Sequence, residues 1–138
     1  MTTRLPHLAP GRHPTPAHGR CLLELVSQLA DEVWSDRPAA VHPVLAAVAR
    51  CVNDRTTPHG RQALLPLAVP LLHTANAPAH AIVDHCLRTA GLKKRWWTGI
   101  FPTMAVARAV RRLNTDEALR RLLTECVHLS RKDPTWAE

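Results

Sequence analysis

Apolar residues in this chain recur at the i, i+3, i+4, i+7 spacing of a helix in several short runs, and proline, glycine or a capping residue closes each run. That spacing limits the fold more than any other feature. Each run has one apolar stripe to bury, and the stripes can be buried only against one another. Sheet structure is disfavoured, because Phe occurs once and Tyr not at all. The core must then be built from Leu, Val and Ala, a choice that favours helices over strands. With 138 residues, 46% of them apolar, the chain is large enough to bury a core unaided. The expected fold is all-α: a single compact bundle of five to six short helices, one of them kinked by prolines.

The segment Trp34–Asn53 organises the rest. Ser35 and Asp36 are turn residues, and Pro38 biases Arg37 away from helix. Pro43 suits the first turn of a helix whose stripe is Val44, Val48, Cys51 and Val52. Ala46, Ala47 and Ala49 allow close approach on its other sides, and Asn53 with Asp54 is expected to end it. Trp34-Ser35-Asp36-x-Pro38, His42-Pro43-Val44-Leu45-Ala46 and Val52-Asn53-Asp54 together resemble a pattern of uncharacterised small helical proteins of high-GC actinobacteria. The resemblance covers about a third of the chain. It implies a helical fold and no function, since the pattern consists of packing and turn residues.

Residues 1–16 carry Pro6, Pro10, Pro14 and Pro16 and are expected to form a flexible tail; residues 17–132 form the helical domain and 133–138 a short C-terminal tail. The first helix is expected over 17–33, with Leu22, Leu25, Val26, Leu29 and Val33 inward and Glu24, Gln28, Asp31 and Glu32 outward. Thr57 and Pro58 start a third helix that Pro66 and Pro70 must kink. A fourth begins after Asn76, places Ile82, Val83, Cys86, Leu87 and Ala90 on its stripe, and stops at Gly91. Residues 91–102, GLKKRWWTGIFP, lose the helical period. A fifth helix over 103–113 turns Val106, Ala109, Val110 and Leu113 inward. The sixth starts at an Asn114 cap, carries Leu119, Leu122, Leu123, Cys126 and Leu129, and sets Glu117 four residues before Arg121.

Charge is the strongest functional signal. Formal net charge is +7, and residues 88–132 hold eleven Arg or Lys against Asp116, Glu117 and Glu125, so the first 87 residues are close to neutral. Lys93, Lys94, Arg95, Trp96 and Trp97, with Arg108, Arg111 and Arg112 of the following helix, form the candidate partner-binding face. Such a face suits a protein partner with an acidic surface, or nucleic acid with a Trp stacked on an unpaired base. A helix-turn-helix reading is weak, because that motif uses a far shorter connection than the one before the fifth helix.

Other chemistry finds little support. His80 and Asp84 share one side of a helix beside His85, but no further ligand is dictated by spacing, so no metal or cofactor is assigned. There is no nucleophile elbow and no phosphate-cradling glycine loop. Cys126 and His128 point to different sides of one helix. Catalysis is not expected, and no catalytic residue is assigned. Cys21, Cys51, Cys86 and Cys126 make no CxxC pair and read as reduced core thiols. The N-terminus lacks a secretory apolar segment, and no apolar run is long enough to span a bilayer, so a cytoplasmic protein is expected. The functional expectation is a small soluble helical interaction or regulatory protein that docks an acidic partner, with nucleic-acid binding by the same face as the alternative.

Overall fold

Helix α2 (Pro43–Arg55) is the axis of the structure. Residues 44–49 are buried on every side of it, and the three alanines among them let neighbours approach closely. Around it lie α1 (Leu22–Leu29), α3 (Pro58–Gln62), α4 (Ala68–Leu71), α5 (Ala79–Ala90), α6 (Trp96–Ile100), α7 (Pro102–Arg111) and α8 (Asp116–Ser130). In this computed structural model residues 6–131 are described. α2 packs chiefly on α7, and also on α8, α1 and α5, while α5 covers α7 and α8. No strand occurs among the described residues; two isolated bridges pair Leu8 with Arg20 and Val41 with Thr74.

The fold is all-α as expected, with seven helices of five residues or more among the described residues, one above the expected range. The addition is α6, which lies inside the stretch that loses its helical period. Five residues are too few for an apolar stripe to register as periodic. The proline-kinked element resolves as α3, a 3-10 turn over Leu65–Leu67, and the single turn α4. Leu64, Ala68 and Leu71 from this stretch are buried, whereas Val69 is exposed.

α1 is much shorter than the expected 17–33. Gly19, at φ 119°, precedes it, and Asp31, at φ 58°, lies just beyond its end. Val33 therefore leaves the stripe and is 88% exposed. α2 runs past Asn53 to Arg55, and Asn53 is buried within it. The side chain of Asn53 accepts from the Leu22 amide at 3.1 Å and donates to the Ala9 carbonyl at 3.0 Å. It ties α1 and the N-terminal segment to the central helix instead of ending that helix. The α8 cap is Thr115, one residue after the expected Asn114, and its hydroxyl accepts from the Ala118 amide at 3.1 Å.

Residues 6–16 differ most from expectation. The segment read as a flexible tail is held here as a strap across the α1–α2 side. Leu8 is buried and exchanges two bonds with the Gln62 amide group, at 3.0 and 2.9 Å. Ala9 donates to the Arg20 carbonyl at 2.8 Å, and Gly11 to Asp54 at 2.8 Å. Prolines without a helical pattern resemble a tail in composition, yet side chains from α1, α2 and α3 satisfy this backbone. The expected C-terminal tail, 133–138, lies outside the described residues.

At the start of α3, Thr57 caps the helix through Gly60, as expected of a Thr-Pro start. The Asp116 carboxylate reaches across from α8, accepts from the Thr57 amide at 2.9 Å and bonds the Thr57 hydroxyl. These donors hold its carboxyl below the usual Asp value. A Cβ on Gly60 would fall on the Asp116 side chain, well inside contact distance. Gly60→Ala is expected to destabilise the fold by about 1–3 kcal/mol through this overlap. Thermal melts of Gly60→Ala and Gly60→Ala/Asp116→Ala test it: the second change should recover part of the loss.

A candidate basic cleft at the end of helix α5

Gly91 sets up the site. It adopts φ 70°, the left-handed conformation that closes α5, and Leu92 then donates back to the Leu87 carbonyl at 2.8 Å. The chain turns across the end of α5 and delivers Lys93, Lys94 and Arg95. Thr98, buried in α6, fixes the Arg95 backbone: its hydroxyl donates to the Arg95 carbonyl at 2.6 Å and accepts from the Arg95 amide at 3.3 Å. α7 adds Arg108 from the other side.

Lys93, Arg95 and Arg108 line one cleft of about 460 Å³, together with Leu87, Gly91, Leu92, Trp97 and Thr98. No carboxylate is among these residues. The three cations are exposed, while Trp97 is half-buried and packs on the core. The cleft thus joins an apolar floor, an aromatic wall and three cationic groups from two elements.

Of the eight predicted residues, Lys93, Arg95, Trp97 and Arg108 line this cleft. Lys94 turns away to the α5 side, its Nζ 3.5 Å from Asp84, an exposed pair of small energetic value. Trp96 points outward and does not line the cleft. Arg111 and Arg112 are exposed near the end of α7, outside the cleft. The sequence count treats every cation between 93 and 112 alike; the turn at Gly91 and the helical phase of α7 select three of them.

The residues weighed for metal have other partners. His85 Nε2 lies 3.0 Å from Glu125 of α8, Asp84 faces Lys94, and His80 is exposed. Among the described residues no group of three His, Cys, Asp or Glu side chains is placed to hold a metal ion. Cys21, Cys86 and Cys126 are buried and Cys51 is half-buried, and all four are free thiols. Burial pushes the Cys21 thiol up to about 12. The Cys126 thiol is driven far above its ordinary value by the Cys86 sulfur, 3.8 Å away, and by burial. The Cys21 and Cys126 thiols stay protonated at neutral pH and are poor nucleophiles. His128 is exposed while Cys126 is buried, so the two do not pair.

The sequence reading missed the buried Glu24. Placed on the outer face by the expected helix, it is fully buried in the structure. It sits at the third position of α1 and accepts from the Cys21 amide at 2.8 Å. It also accepts from the His13 amide at 2.7 Å and lies 2.8 Å from His13 Nδ1. The available signal was Cys21-x-x-Glu24, the second half of a capping box whose first residue is an unusual cap. A cleft of about 540 Å³ lies over this corner, lined by Arg12, Arg37, Glu24 and Asp36 among others. Acids and bases balance there, in contrast to the cleft at α5.

No protein-family model matches this chain, and no curated protein or solved structure matches it at a significant level. No helix among the described residues is long and apolar enough to cross a membrane.

Proposed function

We propose that this is a small helical interaction or regulatory protein that docks an acidic protein partner through the cleft at the end of α5. The observation that supports this reading most is the grouping of Lys93, Arg95 and Arg108 beside Trp97 with no acid among the lining residues. An acidic side chain entering the cleft meets guanidinium forks suited to carboxylates, and its methylenes meet Trp97 and Leu92. An aromatic and Arg anchors in one depression match the composition of interface hot spots. The reading also takes the chain as cytoplasmic, in keeping with thiols that are free and mostly buried. Membership of the actinobacterial group belongs to the same reading.

A pull-down from the native host tests it, comparing wild type with Arg95→Glu/Arg108→Glu and with Arg111→Glu/Arg112→Glu. The first variant should lose a dominant acidic partner, and the second should keep most of it. Recovery of the same proteins by all three chains contradicts the proposal. A gel-shift series with nucleic acid runs beside it. A band retarded at low salt and released as salt rises would transfer the cleft to nucleic acid.

A further inference from the structure

We propose that the corner between α6 and α7 docks on an anionic lipid bilayer. Trp96 is 79% exposed, Ile100 62%, Phe101 48% and Met104 60%. These four large apolar side chains fall within nine consecutive residues, whereas the other exposed ones among the described residues are the pair Leu29 and Val33 and the lone Val69. Single exposed apolar residues are ordinary, but a cluster of this size marks an interaction surface. Trp96 and Ile100 are one turn apart on α6, and Phe101 and Met104 one turn apart at the start of α7. Trp97 and Thr98, half-buried and buried, anchor the ridge from behind, so it is already ordered before any contact.

Charge selects the occupant. Lys93, Lys94 and Arg95 lead directly into the ridge, and Arg108 follows Met104 by one turn. No Asp or Glu occurs between Asp84 and Asp116. A second copy of the chain would bring these cations against themselves across a two-fold axis, which disfavours self-association. A bilayer with anionic headgroups offers both complements: negative charge for the cations and an acyl boundary for Trp96, Ile100, Phe101 and Met104. Tryptophan is favoured at that boundary because its ring is apolar and its indole N–H polar. A ring standing this far clear of the body suits a deformable lipid surface, and no chain crossing is involved.

This inference goes beyond the protein-docking reading. None of the four ridge residues lines the basic cleft, but Lys93, Arg95 and Arg108 serve both readings, so the ridge variants test the bilayer contact and the arginine variants test the protein contact. The test is co-sedimentation of the full chain with vesicles of phosphatidylcholine containing phosphatidylserine, and with vesicles of phosphatidylcholine alone. Brominated acyl chains in the same vesicles report tryptophan insertion by quenching. The protein is expected to sediment with the anionic vesicles, with quenching that Trp96→Ala removes. Trp96→Ala/Ile100→Ala should weaken the partition about tenfold or more, and Met104→Gln should weaken it less. Circular dichroism should remain that of the wild type, since the replaced side chains are exposed. No sedimentation with anionic vesicles overturns the proposal. So does sedimentation that the double variant leaves unchanged, which is adsorption by charge alone. A dimer in light scattering that Ile100→Glu converts to monomer also overturns it, because the ridge is then covered by a second copy.

Discussion

Glu24→Ala is expected to destabilise the protein by about 3 kcal/mol or more, since it strands two backbone amides and a ring nitrogen that its carboxylate now serves. The effect is large because the group is fully buried and joins two elements. Its oxygens accept from Cys21 and His13 amides and face His13 Nδ1. The His13 carbonyl in turn accepts from Trp34 Nε1 at 2.7 Å, so the same knot fixes the strap and the 34–38 turn. Burial alone would raise the Glu24 pKa. The donors of His13 and Cys21 outweigh burial and hold it below the ordinary Glu value of 4.5. A carboxylate with a lowered folded pKa binds more protons when unfolded, so it stabilises the fold above its unfolded pKa. That contribution is lost as pH falls through the lower, folded value. Chemical denaturation across acid pH should show wild-type stability falling in this window, and Glu24→Gln should flatten the dependence while lowering stability at neutral pH. Trp34 emission should report strap release in both variants. Equal pH dependence in wild type and Glu24→Gln would show that another group governs acid unfolding.

Arg61→Met should destabilise by about 3 kcal/mol or more, since each of two hydrogen bonds from a charged donor is worth about 1.5–3 kcal/mol. Arg61 is buried, and its Nε donates to the Asn53 carbonyl and its Nη2 to the Thr56 carbonyl, both at 2.6 Å. Those carbonyls belong to the C-terminal turn of α2, where a cation also meets the negative end of the helix dipole. Arg61→Lys should recover less than half of the loss, because one ammonium cannot span two carbonyls in the guanidinium's fixed geometry. Denaturant melts of the three chains decide this. Full rescue by Lys would reduce the interaction to simple charge.

The sequence displays the long helices because each has a stripe that spans two or more turns. Ile82, Val83, Cys86 and Leu87 of α5 and Leu119, Leu122, Leu123 and Cys126 of α8 are buried as the spacing predicts. Glu117 and Arg121 form the expected pair, at 3.1 Å. What escaped detection is polar or short. Glu24, Asn53 and Arg61 look like surface residues by type, and only their partners in distant segments explain their burial. The strap lacks a stripe because its backbone is satisfied by side chains of α1, α2 and α3. At the candidate site, charge and aromatic content were visible, but the division of labour was not. The turn at Gly91 sends Lys93 and Arg95 into the cleft and Lys94 to Asp84, and alternate neighbours on α6 send Trp97 inward and Trp96 out.

The most direct measurement of the docking claim is a titration of the protein with poly-L-glutamate, followed by resonances of arginine Nε–H and tryptophan indole N–H groups. Signals of Arg95, Arg108 and Trp97 should shift together and return as salt is raised. The Trp34 indole, held by the His13 carbonyl, should stay in place. Shifts confined to Arg12 and Arg37 at the cleft beside Glu24, or no shift at low salt, would contradict the account.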